Sequence, residues 1–237
     1  MTTNPGFTRA HVIEVALPDG NLLALLQVDA LADAARRLPA ELVEHHVGLE
    51  IPQLLPAGTV RRLDRAVDDV VRTISTNGCW VMLASLGSLP EYRPLMLRLG
   101  APLQLAVRAV GETPVAHDMI GFVGAPHANV PIHYDTSHHL LVQVQGTKTV
   151  GVGYYDDPEE HRRQIERAMR IERLNADTPP DHTVEFTLGP GQGLMLPAFT
   201  FHWVEGGDDV SVATACLVTS DVTRRRADAY RLSARQA

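Results

Sequence analysis

The sequence predicts a mainly β protein with helices, an α+β chain in which a β-rich core over about residues 101–220 follows a helix-rich, mixed extension (1–100) and precedes a polar tail (221–237). Two observations carry this reading. Before Gly100, apolar residues recur at helical spacing. After it, the chain breaks into strand-length apolar runs punctuated by Gly and Pro, the texture of a sandwich or barrel. A chain of 237 residues, 45% hydrophobic, is long enough to bury one substantial core, so one domain is expected.

The elements follow in order. Asp29 is positioned to cap a short helix carrying Leu31, Ala34, Ala35 and Leu38, which Pro39 stops. Between 59 and 77 the residues Leu63, Ala66, Val67, Val70, Val71 and Ile74 predict a long helix ended by Gly78. Residues 79–83 read as a buried strand and 91–99 as a second short helix. Strands are expected at 103–110, 119–123, 131–135, 140–144, 147–152, 183–188, 193–196, 201–205 and 210–219. One helix interrupts them: Asp157-Pro158-Glu159-Glu160 is a helix start, with Glu159/Arg163 and Glu166/Arg170 as i,i+4 pairs on a solvated face. Residues 175–181, with Pro179-Pro180, read as a loop within the barrel, and the segment from Asp221 as a helix suited to a homodimer.

Composition narrows the function. A formal charge of -7 gives no general attraction to phosphate backbones, so nucleic acid is not an expected partner. No apolar stretch approaches the roughly 20 residues of a membrane span, and the first residues lack the features of a secretory signal; the expectation is a cytoplasmic protein. Cys79 and Cys216 lie in apolar runs with no CxxC pair, as reduced core residues do. Of the 21 basic residues only Lys148 is a lysine. In so arginine-biased a chain, a single ammonium is either a chance surface lysine or the mark of a position that needs a compact point charge.

His133 and Asp135 stand two apart, and strand periodicity turns both side chains to one face. His202, about 70 residues later, joins them only if the chain folds back as a barrel. Two imidazoles and one carboxylate on one side of an ion leave positions open, the arrangement suited to non-haem Fe(II) and O₂ chemistry. Alternation turns His138 away from His139, and His127 sits in a Gly/Pro loop, so neither is a candidate ligand.

The neighbourhood of these residues is informative. His133-x-Asp135 is followed by Gln143-Val144-Gln145-Gly146-Thr147-Lys148, and Pro190-Gly191-Gln192 through Pro197 precedes His202. Over residues 129–219 this order resembles the jumonji C (JmjC) or cupin-like oxygenases, with their HxD, Q-x-x-G-x-K and PGD-x-x-x-x-P motifs. The resemblance implies a double-stranded β-helix (jelly-roll, cupin-like) core. It implies Fe(II) held by His133, Asp135 and His202, and 2-oxoglutarate as cosubstrate with Lys148 pairing its far carboxylate. With O₂, such an enzyme hydroxylates an unactivated C–H bond and releases succinate and CO₂; a full carboxylate at Asp135 disfavours halogenation. Three positions depart from the pattern. His139 stands where relatives often carry Asn near the cosubstrate, Val130 where some carry Thr, and Gln192 in place of the turn Asp. A small-molecule or peptide substrate is expected. Two other readings stay open: a metal-dependent cupin enzyme without 2-oxoglutarate, in which Lys148 is incidental, and a non-catalytic metal- or ligand-sensing module.

Overall fold

Alternation along the strands builds two facing sheets. The computed structural model describes residues 9–49, 53–54, 61–170 and 175–236. In chain order the elements are β1 (His11–Glu14), α1 (Gly20–Ala24), α2 (Val28–Arg37), β2 (Val43–Val47), α3 (Val67–Arg72), α4 (Ile74–Asn77), β3 (Cys79–Leu83) and α5 (Arg93–Ala109). Then come β4 (Pro114–Gly124), β5 (Asn129–His133), β6 (His138–Gln145), β7 (Lys148–Tyr154), α6 (Pro158–Arg170), β8 (His182–Leu188), β9 (Gln192–Leu196), β10 (Phe201–Gly206), β11 (Ser211–Ser220) and α7 (Asp221–Gln236). Seven strands form one sheet in the order β1-β9-β6-β11-β4-β3-β2, and four form the other in the order β5-β10-β7-β8. From β4 to β7 the chain alternates between sheets, and it does so again from β8 to β11, with every pairing antiparallel. This is a jelly roll, as expected.

Between the sheets lies one apolar cluster: Leu141, Val150, Val152, Leu188, Leu194, Leu196, Ala213 and Ala215. The outer face of the larger sheet is covered by α2, α3 and α5 through residues such as Leu31, Val70, Leu95 and Leu99 packed on Val81, Met119 and Cys216. Helices α6 and α7 cover the outer face of the smaller sheet, where Ile165, Ala168 and Ala227 meet Ile132, Phe201 and Trp203. Both cysteines are buried and unpaired. Among the described residues no helix is long and apolar enough to cross a membrane.

Several local expectations are corrected. Residues 103–110 are not a strand but the second half of α5, which runs on through Gly100 and Pro102. The reason is the four-residue recurrence of Leu95, Leu99, Leu103 and Val107, all buried, which makes one helical stripe against the sheet. The helix expected over 59–77 is in fact two short ones. Thr73 leaves the helical region at ψ 15, its hydroxyl donating to the Asp69 carbonyl, and Gly78 at φ 67 ends the second; residues 59–60 lie outside the described residues. Asp29 is not the cap of α2, because Gln27 holds that position and Asp29 instead pairs with Arg72 on α3. On α6, Asp157 does cap, accepting from the Glu159 amide, but the ion pairs join Arg162 to Glu159 and Glu166 and Arg163 to Glu160. The first hundred residues also contribute strands: β1 pairs with β9, and β2 and β3 extend the larger sheet beyond β4.

The packing of β10 on β7 requires the absence of a side chain. Trp203 lies directly over its cross-strand partner Gly151, where a Cβ would stand 2.0 Å from the indole. Gly151→Ala is therefore expected to destabilise the fold by about 1–3 kcal/mol through overpacking, read as a lower urea midpoint with an unchanged m-value.

Candidate functional site

Each ligand-type side chain is placed by its strand. His133 is the last residue of β5, and its register partner on β10 is His202, so the two imidazoles face the interior side by side with ring centroids 4.2 Å apart. Asp135 lies two residues beyond the end of β5, rather than on the strand as expected, and its backbone carbonyl accepts from the Phe199 amide at 2.7 Å. That bond ties the HxD segment to the turn leading into His202. Phe199 itself takes the left-handed conformation, φ 63, with its ring buried and the Arg226 guanidinium 4.5 Å over it. A bulky residue held this way marks a turn fixed by its surroundings.

The three side chains converge. Asp135 Oδ2 lies 3.9 Å from His133 Nε2 and 3.5 Å from His202 Nε2, and one ligand atom of each residue lies within 4.8 Å of the others. Neighbouring ligands on one ion with bonds near 2.1 Å stand about 3 Å apart, so the triplet could hold a single cation with small adjustments. The tautomers fit as well. His133 Nδ1–H donates to the Pro131 carbonyl at 2.8 Å and His202 Nδ1–H to the Thr200 carbonyl at 2.9 Å, so each Nε2 presents its lone pair to the common centre.

The electrostatics keep these groups in metal-binding form. Burial, reinforced by the neighbouring His133, pushes the His202 pKa down to about 3, leaving a neutral imidazole. Burial works to raise the Asp135 pKa, but the fields of His139, His133 and His202 outweigh it and hold the group below the usual carboxylate range. His139 stands beside the triplet. Its Nδ1 is 3.5 Å from Asp135 Oδ2, burial lowers its pKa, and its buried Nε2 has no hydrogen-bond partner among the described residues. His138 points to the opposite face, as alternation requires, and reaches Glu112 at 3.0 Å.

Lys148 opens β7 on the same inner surface. In the pairing with β10, Val152 is opposite His202 and Lys148 is opposite Gly206, so Lys148 begins four residues, roughly 13 Å, along the barrel from the triplet. The turn before it explains the Gln143-to-Lys148 motif. Gln143 Nε2 donates to the carbonyls of Gln145 and Gly146 and to Ser211 Oγ, and Gly146 at φ 66 lies so close to the Val210 carbonyl that a Cβ would stand 2.4 Å from it. Lys148 is buried, and among the described residues no hydrogen bond or ion pair reaches its ammonium group. Burial lowers its pKa to about 8. A cavity of about 900 Å³ connects it with His133, Asp135, His139 and His202. Val130 lines this cavity too, and so do Trp80 and His46, which sequence reasoning left out of the site. Their signal was the alternation of β3 with its partner β2, legible only once that edge of the sheet is known to face the cavity. Gln192, in place of a turn aspartate, does that residue's work by accepting from the Gly189 amide at 3.0 Å.

Comparison with known proteins gives a consistent picture. Residues 114–224 match the family model described as the JmjC domain. The fold is similar to that of YcfD, a ribosomal oxygenase from Escherichia coli, solved in complex with cobalt and 2-oxoglutarate (TM-score 0.55, 14% identity, 94% of this chain and 51% of that one). It is similar too to an X-ray structure of E. coli ycfD (TM-score 0.56, 14% identity, 94% and 52%) and to YcfD with cobalt and succinic acid (TM-score 0.51, 15% identity, 93% and 50%). The chain spans about half the length of these structures, and at such identity the likeness speaks for the fold. No curated protein matches the chain by sequence.

The depressed pKa of His202 gives the metal-free protein a defined acid response. The unfolded chain takes up this proton near 6.5 and the folded one only near 3, so stability present above pH 6.5 is lost as pH falls through that window. The slope approaches about 1.4 kcal/mol per pH unit. Urea unfolding in chelating buffer should show a loss of about 2 kcal/mol between pH 7 and pH 5, and His202→Gln should reduce it.

Proposed function

We propose that the chain, whose residues 114–224 match the family model described as the JmjC domain, is an Fe(II)- and 2-oxoglutarate-dependent oxygenase that hydroxylates an unactivated C–H bond of a small molecule or peptide, releasing succinate and CO₂. The observation that carries this is the pairing, in one cavity, of a two-imidazole, one-carboxylate triplet with a buried lysine that no anionic group among the described residues neutralises. An unpaired buried ammonium is costly unless an anion completes it. That cost favours a dicarboxylate cosubstrate over a cupin chemistry in which Lys148 is idle.

In this reading His133, Asp135 and His202 would hold iron, which would supply the oxidative chemistry with O₂ and a 2-oxo acid. The chain's own residues do the rest. Lys148 binds the far carboxylate and so orients the 2-oxo acid along the barrel. The wall formed by Leu141, Val150, Leu196 and Ala215 excludes water from the cosubstrate. His139, within reach of the Asp135 carboxylate, holds that ligand's orientation, and its free Nε2 stands ready for a cosubstrate contact. The carbonyls of Pro131 and Thr200 keep protons on the Nδ1 atoms and off the ligating nitrogens. One domain accommodates all of these parts, and a cytoplasmic location would keep iron reduced.

The test is anaerobic addition of 2-oxoglutarate to the Fe(II) protein. A visible charge-transfer band is expected, followed by succinate release when air is admitted; no band and no succinate would exclude the oxygenase and leave a sensor or another cupin chemistry. In Lys148→Ala, removal of a desolvated charge partner should weaken 2-oxoglutarate binding by about 2–5 kcal/mol, seen as a rise in its apparent KM. Asp135→Ala should abolish both the band and the stabilisation of the protein by Co(II) or Mn(II).

A further inference from the structure

The turn that delivers His202 is built against its own preference. Pro197 to Thr200 closes tightly, with the Thr200 amide donating to the Pro197 carbonyl at 3.3 Å. Its third residue is Phe199 at φ 63, the place in a type II turn where glycine is usual and a bulky side chain is strained. Two ligand-bearing segments hang on this turn. The Thr200 carbonyl accepts from His202 Nδ1 at 2.9 Å, and the Phe199 amide donates to the Asp135 carbonyl at 2.7 Å. Rotation of the Ala198–Phe199 peptide into the commoner type I form would point that amide away from Asp135.

From outside the barrel the turn is held by an imidazole. The Ala198 amide donates to His138 Nδ1 at 3.1 Å. A nitrogen that accepts carries no proton, so Nε2 bears it and donates to Glu112 Oε2 at 3.0 Å. Burial lowers the His138 pKa against the opposing pull of Glu112, and the ring stays neutral. The carboxylate is fixed in its turn. It accepts from the buried Ser220 hydroxyl, and Thr113, its neighbour in the chain, exchanges two 2.9 Å bonds with Asp221 at the start of α7. A series of contacts thus runs from α7 through Glu112 and His138 to the turn and its ligand.

We infer that His138 is a positioning residue of the metal centre: as a neutral acceptor whose tautomer Glu112 fixes, it holds the Pro197–Thr200 turn in the form that presents His202 beside Asp135. The inference rests on the reading of His133, Asp135 and His202 as metal ligands, and gives a part in that centre to a histidine that faces away from the cavity. The strain at Phe199 makes the part necessary. With glycine in that place the turn would keep its form unaided. As built, it keeps its form through the amides of its two central residues, one bonded to Asp135 within and the other to His138 without. Partners one layer behind a metal's ligands set its affinity in this way.

The test is metal binding to the full chain, measured by Co(II) titration followed through the visible absorption of the bound ion. His138→Leu, which removes the acceptor, is expected to weaken Co(II) binding about 10- to 100-fold and to alter the spectrum. His138→Asn, which returns a carbonyl oxygen near the place of Nδ1, is expected to restore most of both. Coupling of this kind is reciprocal, so Zn(II) is expected to slow hydrogen exchange of the Ala198 amide in the wild-type protein by about tenfold beyond any slowing at Val81 on β3. Wild-type affinity and spectrum in His138→Leu, no recovery in His138→Asn, or an Ala198 amide slowed no more than that of Val81 would each overturn the inference and leave the metal centre standing. The exchange measurement decides the matter even if the leucine variant does not fold. Should the wild-type protein bind neither Co(II) nor Zn(II), the metal-ligand reading itself falls, and the inference with it.

Discussion

The antiparallel pairing of β10 with β5 is the contact on which the rest depends. It joins segments almost 70 residues apart and sets His202 opposite His133, and a register shift between His202 and Val204 follows at once. The same two strands bury Ile132, Phe201 and Trp203 on their other face beneath α6 and α7. Period-two alternation therefore does two tasks in one ribbon: apolar residues anchor it from outside, and imidazoles are presented inside. A slip of one residue would turn the imidazoles toward the helices and the aromatics into the cavity. The Asp135–Phe199 backbone bond and the Trp203–Gly151 contact both guard against such a slip.

Around that ribbon the barrel keeps charges that a core built for stability alone would not. Among the described residues Lys148 sits buried with no anionic partner, and Asp135 is ionised among three imidazoles. Each is unfavourable in the protein by itself, and each is aligned on the inner surface of the same sheets. Sites of this kind are where natural proteins give up stability for binding. The surrounding shell offsets this with apolar clusters between the sheets and on both outer faces.

The helices have a supporting part. Helix α5 lays Leu103 and Val107 on Leu140, Val142 and Val218 of the larger sheet, closing the outer face directly behind the row that carries His139. His138, on that outer side, accepts from the Ala198 amide through Nδ1 while its other nitrogen meets Glu112. The turn before His202 is thereby gripped from both faces of the barrel, by Asp135 within and His138 without. Rigid placement of a ligand depends on such supporting contacts as much as on the ligand itself.

What the sequence determined by itself is what local chemistry encodes. Short apolar runs between Gly and Pro announced the strands of the jelly roll, Asp157-Pro158 announced α6, and the motifs around His133, Asp135 and His202, which resemble those of the JmjC oxygenases, singled out the three side chains that converge. Tertiary structure decided the rest. Residues 103–110, an apolar run that periodicity alone reads as well for strand as for helix, became helix because a sheet face needed covering. Thr73 divided a helix that spacing alone predicted to be continuous. Trp80 and His46 acquired their place in the cavity only when β2 and β3 were laid beside β4, since a strand's alternation says which residues share a face but not what that face will meet.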